Sequence, residues 1–577
     1  MLSDSIVFGA GGFIGRSLVA ELLRGGHQVA AAVRGSGDGL TAWLDAQGVE
    51  RAGLTVVRAD ITVPGLGLPE QGLSEVRDVY NTAARFAFGI GREQARAVNV
   101  TGAVHVVEWA AGRPGLRRVV HISGYRMAAA AGGPPDYGRL GAYEASKQEA
   151  DAAVRKRSRE LGVALTIANP STVIGPGQYV GLASVVGELW QGRLRALPGG
   201  PGIFLPVVTL DHFVRFLAAL PGHGESAGRA YWVLDDATPD LPEMIGVFAQ
   251  HMGVRAPRRS VPVGLLRRLP RAVTRADPET LSFLSTDRYD TAPARALAES
   301  HGLSMPPVEP ALRQWVDDLV ATRFGRSGPC HRPCGFHSVA DSRTWVIGER
   351  RGPGYVLLHG LPLNADSWAR AADFLDAPYL TADLPGFGRS GPGERPLDDW
   401  LADLLDPVVT RPVLVAHSLA CGPALRYATA RPDRLSALVL VAPAFLQPPS
   451  SALARSRLAA PLLRATPVSR LARSLGLPED SGLDGLAVDL RRKGAARRVI
   501  AAMRTAHEQR EELRSALRAL RLPVELVVGS ADPVTETVNA PVTVIEAAGH
   551  YPQMTHPAAV ARLVTACRER AGVPGRR

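Results

Sequence analysis

Short apolar strand-like runs alternate with amphipathic helical stretches along this chain, and that alternation constrains its fold more than any other feature of the sequence. A strand followed by a helix and then by another strand favours a parallel sheet with helices on both faces. The sequence therefore predicts an α/β fold that opens with a doubly wound, Rossmann-type parallel sheet. In the first half of the chain the strand-like runs are residues 6–8, 28–33, 54–57, 76–80, 118–122 and 165–168.

The alternation stops at residues 325–336, which are rich in Gly, Pro, Arg and Cys, and it restarts afterwards. One hydrophobic core rarely grows beyond about 250 to 300 residues, so a chain of 577 residues is expected to form two domains. The second set of strand-like runs is 355–358, 379–382, 413–416, 437–441, 524–528 and 542–545. The predicted divisions are a first domain at 1–325, a linker at 326–336, a second domain at 337–570 and a tail at 571–577.

Two segments depart from the alternation, and each is predicted to cover one of the sheets. Residues 197–324 are richer in proline and less periodic, which is typical of a small substrate-covering subdomain. Residues 444–520 are rich in arginine and have a helical pattern. We expect them to form a helical cap inserted over the second sheet.

The basic composition does not indicate nucleic-acid binding. The formal net charge is +11, but only three of the 66 basic residues are lysines, and the arginines are scattered rather than interleaved with aromatic residues. Cys330 and Cys334 could coordinate a zinc ion, but their spacing is not that of a standard zinc site, so we expect no metal. No apolar run approaches the roughly 20 residues of a membrane helix. These observations predict a soluble, cytoplasmic protein with small-molecule substrates and no nucleic-acid or membrane partner, and they leave a homo-oligomer possible.

A glycine-rich turn follows the first strand-like run. Gly9, Gly12 and Gly15 have the spacing that lets a backbone turn sharply and approach a pyrophosphate at the start of a helix. The turn predicts a nicotinamide dinucleotide site in which Phe13 and Ile14, between the last two glycines, also contact the cofactor.

Three further residues bear on which nicotinamide cofactor binds. Arg34 ends the second strand-like run, where an acidic residue would favour NAD, so we predict NADP and keep NAD as the alternative. Asp60 and Ile61 follow the third run and are predicted to meet the adenine. A local cap would also explain an aspartate at position 60.

A tyrosine and a lysine stand four residues apart in a helical stretch. Tyr143 and Lys147 would lie on one face of that helix, where the ammonium would lower the pKa of the phenol. Tyr143 could then exchange a proton with a carbonyl oxygen while Lys147 holds the nicotinamide ribose. Arginine could not replace this lysine, because a guanidinium is wider and effectively never deprotonates. Ser123, at the end of the fifth run, is predicted to donate a hydrogen bond to the substrate carbonyl.

Together these features resemble the extended short-chain dehydrogenase/reductase family, also called the NAD-dependent epimerase/dehydratase family, over about residues 3–322. The resemblance implies that Ser123, Tyr143 and Lys147 are catalytic. It is supported by Tyr-Asn-Thr-Ala-Ala at 80–84, Asn-Val-Thr-Gly at 99–102 and Asn-Pro-Ser-Thr-Val-Ile-Gly-Pro-Gly at 169–177. The implied cofactor-binding set is Gly9, Gly12, Phe13, Ile14, Gly15, Arg34, Asp60, Ile61, Ala83, Asn99, Tyr143, Lys147 and Pro170.

In the second half, a serine directly follows an apolar strand-like run. Ser418 is flanked two residues away by Ala416 and Ala420, and small neighbours are what a strained strand-to-helix turn tolerates. Asp532 and His550 follow later strand-like runs, which completes the order Ser, Asp, His. His550 would accept the serine proton, and Asp532 would fix its tautomer.

These residues resemble the nucleophile elbow and triad of the α/β-hydrolase superfamily over about residues 337–570, although both usual glycines are alanines here. Backbone N–H groups of Leu361 and Leu419 are the expected oxyanion hole. His556 is the rival base, and we prefer His550 because His556 starts the last predicted helix. Only nine residues separate Asp532 from the next strand, which is short for a parallel crossover and leaves open whether the triad assembles.

The sequence thus predicts two enzymes in one chain. The first domain would reduce a carbonyl or oxidise an alcohol with NADP, and the second would cleave an ester, thioester, lactone or C–C bond. Two alternatives stay open. The first domain could be a nucleotide-sugar epimerase or dehydratase, or one half could be a ligand-binding or scaffold module without turnover.

Overall fold

The chain divides into two compact units in a computed structural model. The N-terminal unit comprises Met1–Ser184, Arg195–Val247 and Pro257–Trp315, and the C-terminal unit comprises Val185–Leu194, Phe248–Ala256 and Val316–Arg577. The domain limits predicted from the sequence stay a prediction. The structure describes all residues except 1–2, 69–72, 86–89, 130–134, 267–282, 329, 331, 449, 479–482, 533, 535–539 and 573–577.

A parallel sheet forms the centre of the N-terminal unit, as predicted, but it has seven strands where the sequence indicated six, because residues 230–233 of the predicted covering segment pair with its edge. Its strands are β1 Ser5–Phe8, β2 Val29–Val33, β3 Leu54–Arg58, β4 Asp78–Asn81, β5 Arg118–Ile122, β6 Leu165–Pro170 and β10 Ala230–Val233. Their spatial order is β10-β6-β5-β4-β1-β2-β3. The strand order reverses between β1 and β4, and ligands of doubly wound sheets bind at such a switch point, outside the carboxyl ends of the strands.

Helices cover both faces of this sheet. Its strands carry apolar side chains on both sides, as is typical of a parallel sheet that is buried on both faces. Val7 and Val120 point into one apolar core, while Ile6 and Val119 point into the other. The helices of the first 325 residues are α1 Phe13–Arg24, α2 Asp38–Ala46, α3 Arg92–Ala95, α4 Gly102–Ala111, α5 Tyr137–Leu140, α6 Ala142–Leu161, α7 Leu182–Trp190, α8 Leu210–Ala219, α9 Leu241–Met252, α10 Val263–Leu266, α11 Ala292–Ser300 and α12 Val308–Ala321.

Two small parallel ladders lie outside the main sheet. One pairs β7 (Thr172–Ile174) with β9 (Val207–Thr209), and the other pairs β8 (Leu197–Pro198) with β11 (Ser260–Val261). Three of these four strands fall within residues 197–324, the predicted substrate-covering segment.

An eight-stranded mixed sheet forms the centre of the C-terminal unit. Its strands are β12 Cys334–Val339, β13 Ser342–Gly348, β14 Tyr355–Leu358, β15 Tyr379–Ala382, β16 Val413–His417, β17 Ala437–Val441, β18 Val524–Gly529 and β19 Val542–Ile545. They are ordered β12-β13-β15-β14-β16-β17-β18-β19. β12 and β13 pair antiparallel, β13 pairs antiparallel with β15, and all other neighbours are parallel.

Helices also lie between the strands of the C-terminal unit. Five of them, α16 to α20, come between β17 and β18, inside the segment predicted to be a cap, and we call them the cap helices. The helices are α13 Ala369–Ala372, α14 Leu397–Leu405, α15 Cys421–Ala430, α16 Ala459–Ala465, α17 Val468–Ser474, α18 Asp484–Arg491, α19 Ala495–Glu508, α20 Arg510–Ala519, α21 Pro552–Thr555 and α22 Pro557–Arg570. Within the described ranges, no helix is both long and apolar enough to cross a bilayer.

Candidate active sites

The glycine turn of the N-terminal unit is packed too tightly for side chains. Gly9 has a φ of +78°, and a Cβ on Gly15 would lie 2.2 Å from the carbonyl oxygen of Gly9. A Cβ on Gly9 would lie 2.8 Å from the backbone of Ala83, in the loop after β4. Any larger residue would therefore separate strand from helix and push the turn outwards.

Helix α1 starts directly after this turn, at the switch point between β1 and β4. Its first turn contains Phe13 and Ile14 and no acidic side chain. The first N–H groups of a helix have no acceptor within the helix, and they carry partial positive charge. The turn and the helix start together therefore fit the pyrophosphate of a dinucleotide.

Asn99 connects the loop after β4 to helix α6. Its Oδ1 accepts a hydrogen bond from the N–H of Arg85 at 2.8 Å, and its Nδ2 donates to Oγ of Ser146 at 2.9 Å. Ala83 donates its N–H to the side chain of Asn81 at 3.2 Å. Asn99 and Ala83 thus shape the loop beside the glycine turn, and their contact with a cofactor stays a prediction.

Arg34 and Asp60 follow β2 and β3. The Arg34 side chain is exposed just beyond β2. Oδ1 of Asp60 accepts hydrogen bonds from N–H and Oγ1 of Thr62, at 2.9 and 2.7 Å. These bonds, with a contribution from the charge of Arg34, lower the pKa of Asp60. Asp60 therefore caps its own turn, which is the alternative that the sequence left open, while adenine contacts of Asp60 and of the buried Ile61 stay a prediction.

Tyr143 and Lys147 both lie on α6, one turn apart. The buried Nζ of Lys147 donates a hydrogen bond to the carbonyl of Ile122, the last residue of β5, at 2.7 Å. Burial lowers the pKa of Lys147 to about 8. Burial raises the pKa of the Tyr143 phenol above its ordinary value, with the charge of Glu144 adding to the rise. The expected lowering of this pKa by Lys147 is therefore wrong for this structure, because the cost of burying a phenolate dominates.

Polar groups without a partner collect at the carboxyl ends of β5 and β6. The hydroxyl of Ser123, which is 4% exposed, has no hydrogen-bond partner among the described residues. The same holds for both amide atoms of Asn169, which directly precedes Pro170 in β6. A buried polar group without a partner costs roughly 1–3 kcal/mol, so a native structure rarely retains several together unless a ligand satisfies them. This region fits a polar ligand group such as a carbonyl.

In the C-terminal unit, Ser418 occupies a strained turn between β16 and α15. Its φ is +53°, a conformation that costs a non-glycine residue energy and recurs at functional sites. Ala416 and Ala420 are fully buried on either side. A Cβ on Gly360 would lie 2.7 Å from the Cβ of Ser418, so only glycine allows the loop after β14 to approach this turn. The turn therefore accommodates alanine at positions 416 and 420, and it is position 360 that requires glycine.

Ser418, His550 and Asp532 form one hydrogen-bonded chain. Nε2 of His550 lies 2.9 Å from Oγ of Ser418, and Nδ1 of His550 lies 2.7 Å from Oδ2 of Asp532. The imidazole therefore stands between the hydroxyl and the carboxylate, as proton transfer from serine requires. His556 bonds instead to Oγ1 of Thr555. The short connection after Asp532 still lets the carboxylate reach His550, while a helix between Asp532 and β19 would fall on residues 533 and 535–539, outside the described residues.

Two residues that the sequence reasoning missed hold this chain in place. Nε2 of the buried Gln447 donates to Oδ2 of Asp532, the oxygen that also faces His550. His417 lies 2.8 Å, through its Nε2, from the backbone carbonyl of His550. Burial lowers the pKa of His417 well below its ordinary value, so the neutral ring donates this bond. His417 directly precedes the elbow serine and could have been suspected, whereas nothing in the sequence connects Gln447 with Asp532.

The two predicted oxyanion residues, Leu361 and Leu419, directly follow Gly360 and Ser418, which lie close together, and their donation to an oxyanion stays a prediction. Leu361 lies two residues after His359, whose Nε2 accepts the N–H of Leu384 at 2.9 Å and whose Nδ1 lies 3.1 Å from the carbonyl of Gly360. Burial lowers the pKa of His359 to about 4, so a neutral ring fixes this loop. Both leucines belong to an apolar cluster that includes side chains from the cap helices, such as Leu471 and Leu486.

An ionic network of buried arginines, which includes the half-exposed Asp366, connects the cap helices to the loops beside the sheet. Arg323 bonds to Asp489 of α18 at 3.0 Å and to Asp366 at 3.1 Å, and Arg389 also bonds to Asp366 at 3.1 Å. Arg492 donates to the carbonyls of Gly386 and Ser390 at 2.7 and 3.0 Å. Breaking one partner of a buried pair leaves an uncompensated charge, so this network defines one position for the cap.

Two family models match the chain, one in each half. Residues 7–217 match an NAD-binding family described as male sterility protein. Residues 355–563 match a family described as alpha/beta hydrolase. These matches confirm both resemblances predicted from the sequence, to an extended short-chain reductase in the first half and to an α/β-hydrolase in the second.

Three curated relatives illustrate the range of similarity. Sterol demethylase protein B of Methylococcus capsulatus is 32% identical over 216 residues, which cover 35% of this chain and 62% of that protein. The 2-alkyl-3-oxoalkanoate reductase of Stenotrophomonas maltophilia is 26% identical over 267 residues, 44% of this chain and 76% of that protein. Lipase LipV of Mycobacterium tuberculosis is 40% identical over 104 residues, 16% of this chain and 38% of the lipase. The chain therefore spans less than two thirds of the first and third of these relatives.

Proposed function

We propose that this chain is a bifunctional enzyme. Its N-terminal unit would reduce a carbonyl or oxidise an alcohol with NADP, and its C-terminal unit would hydrolyse an ester, thioester, lactone or activated C–C bond through Ser418. The observation that carries the proposal is the hydrogen-bonded chain from Ser418 through His550 to Asp532 on a strained elbow. The similarity to proteins named reductase and lipase supports the same pairing of activities.

For the hydrolase, each step follows from the hydrogen-bonded chain. His550 accepts the proton of Ser418 as the hydroxyl oxygen attacks the substrate carbonyl, and Asp532 stabilises the imidazolium that forms. The N–H groups of Leu361 and Leu419 donate hydrogen bonds to the developing oxyanion. Each donor stabilises the transition state by on the order of 3 kcal/mol. His550 then returns the proton to the leaving group, and water repeats the sequence to release the acid.

The surroundings of Ser418 support an apolar acyl group as substrate. Leu363 from the loop after β14 packs together with Leu471, Leu486 and Val499 of the cap helices, next to both oxyanion residues. An acyl chain lying against such side chains would gain roughly 0.8 kcal/mol for each methylene removed from water. We therefore expect esters with longer acyl chains to be better substrates than acetates.

For the reductase, Tyr143 would exchange a proton with the substrate oxygen, and Ser123 would hold that same oxygen through its unpartnered hydroxyl. The glycine turn would bind the pyrophosphate, and Lys147 would hold the ribose. A nicotinamide cofactor bound in this way supplies or accepts the hydride. Arg34 supports NADP, because an exposed guanidinium beyond β2 can pair with a 2′-phosphate.

An aromatic cluster supports an apolar carbonyl substrate over a nucleotide sugar. Tyr125, two residues after Ser123, packs with its ring centroid 5.3 Å from that of Tyr289 and 6.4 Å from that of Phe283. Phe204 and Trp232 complete this cluster. Tyr125 and Phe204 are buried, so the half-buried rings of Trp232, Phe283 and Tyr289 are those that would present apolar surface to a substrate.

The test is a screen of the purified protein against aldehydes, ketones and acyl esters, with NADPH consumption and acid release recorded separately. We expect both signals. Oxidised cofactor retained through purification, with no net NADPH consumption, would favour the epimerase or dehydratase alternative. A folded protein that gives neither signal would support the scaffold alternative.

A further inference from the structure

An unusually exposed apolar surface lies on the first cap helix and the turn before it. Leu453, Leu458 and Leu462 are 74%, 75% and 72% exposed. Among the large apolar residues within the described ranges, only Val409 is as exposed, at 75%. Single exposed leucines are ordinary, but three strongly exposed leucines within ten residues are not, and exposed apolar residues that cluster mark interaction sites. We call these three residues the leucine patch.

The sequence that contains the leucine patch carries charge of one sign. Residues 447–478 contain five arginines and no acidic residue: Arg455, Arg457, Arg464, Arg470 and Arg473. Within the part of the chain that the structure describes, none of the five forms an ion pair. Their positive charge is therefore available to an anionic partner next to the exposed leucines.

Helix α16 carries apolar side chains on two faces. Leu458, directly before it, and Leu462 are one turn apart and point to solvent. Ala460 and Leu463 point inwards, and Leu463 packs on the apolar cluster that contains Leu361 and Leu419. A helix that only closed the pocket over Ser418 would be expected to carry polar residues on its outer face. The outer leucines therefore need another explanation.

We propose that the leucine patch and its flanking arginines dock the C-terminal unit on an anionic lipid surface. Leucines that enter the headgroup–acyl boundary and arginines that meet anionic headgroups are the two features that hold a protein on a bilayer surface. The sequence excluded a membrane partner because no segment can span a bilayer, but surface docking needs no such span. The inner face of the same helix would then lie between the bilayer and the Ser418 site.

The test is co-sedimentation of the full chain with vesicles of phosphatidylcholine alone or of phosphatidylcholine mixed with phosphatidylglycerol. We expect binding only to the mixed vesicles, and weaker binding as salt rises. The double variant Leu458→Ser, Leu462→Ser should bind about a hundredfold more weakly, since each leucine contributes roughly a factor of ten. The double variant Arg455→Gln, Arg457→Gln should bind about thirtyfold more weakly.

Val409→Ser is the matched control, because Val409 is equally exposed and lies outside the patch. It should bind like the wild type, and all variants should keep the wild-type thermal unfolding midpoint. Equal binding to neutral vesicles, no binding at all, or full binding by the leucine variant would overturn the proposal. So would a wild-type dimer that the leucine variant converts to a monomer without any vesicle binding, since the patch would then join two copies. Repeating the assay in Ser418→Ala separates docking from the proposed hydrolase activity.

Discussion

The two candidate sites differ in how complete they are within the chain itself. In the C-terminal unit, hydrogen bonds already connect Ser418, His550 and Asp532, and Gln447 adds a further donor to the carboxylate. Among the described residues of the N-terminal unit, Ser123 has no hydrogen-bond partner and Lys147 bonds to a backbone carbonyl alone. The first arrangement is hydrogen-bonded within the chain, while the second leaves polar groups that the proposed cofactor and substrate would satisfy.

The two sites also differ in the structural feature that sets the reactivity of their side chains. The hydrolase site depends on backbone geometry, since Ser418 holds a positive φ and Gly360 permits the close approach of the oxyanion loop. The reductase site depends on burial, which shifts the pKa of Lys147 downwards and that of Tyr143 upwards. Substitutions should therefore separate the two activities cleanly.

The largest effect is expected from Ser418→Ala. Loss of the nucleophile should lower ester hydrolysis about 10⁴-fold or more, because the residues of a triad act as a unit. NADPH consumption with a carbonyl substrate should not change. Steady-state rates of both reactions on the same preparation check this, and a variant that still hydrolyses esters at the wild-type rate would contradict it.

The reciprocal variant is Tyr143→Phe. Removing only the hydroxyl should lower carbonyl reduction about 10²- to 10⁴-fold, the range that general acid catalysis contributes. Ester hydrolysis should stay at the wild-type level. Single-turnover NADPH oxidation measures the first effect, and unchanged reduction would remove Tyr143 from the mechanism.

Lys147→Met should show that burial of this cation costs stability. Lys147 has its pKa lowered from 10.5 to about 8, which at about 1.4 kcal/mol per unit corresponds to about 3 kcal/mol. Because the folded pKa is the lower one, the cost is full below about pH 8 and disappears above about pH 10.5. The variant should therefore unfold at higher denaturant concentration than the wild type at pH 7, with a gain that shrinks as pH rises. Equal stability of the two proteins at pH 7 would refute the shift.

Gln447→Leu should have the smallest effect. The variant keeps the size of the side chain but removes the donor to Asp532, so kcat for ester hydrolysis should fall about tenfold with KM unchanged. Gln447→Glu, which places a second carboxylate beside Asp532, should fall further. A change confined to KM, or Glu tolerated better than Leu, would exclude the positioning role.

The sequence was sufficient to predict those structural features that a single local motif determines. The alternation of strands and helices, the glycine turn and the elbow serine follow from local patterns that few other folds would produce. Asp532 and His550 could be named because the order of the triad along the chain is fixed by the sheet, even though the connection after Asp532 looked too short.

Sequence reasoning failed where a property depends on residues far apart in the chain. Gln447 meets Asp532 across 85 positions, and no local pattern records that contact. The pKa of Tyr143 depends on how deeply α6 is buried, which the spacing of Tyr143 and Lys147 does not reveal. The exposure of Leu458 and Leu462 likewise became visible only in the folded cap.

The central claim is that Ser418 is an activated nucleophile in a site that the chain assembles by itself. The direct test is treatment of the purified protein, without added nicotinamide cofactor, with a fluorophosphonate, followed by peptide mass spectrometry. The account predicts one phosphonyl adduct, located on Ser418 and absent from the His550→Ala variant. A folded protein that takes up no adduct, or takes it up on another residue, would contradict the account.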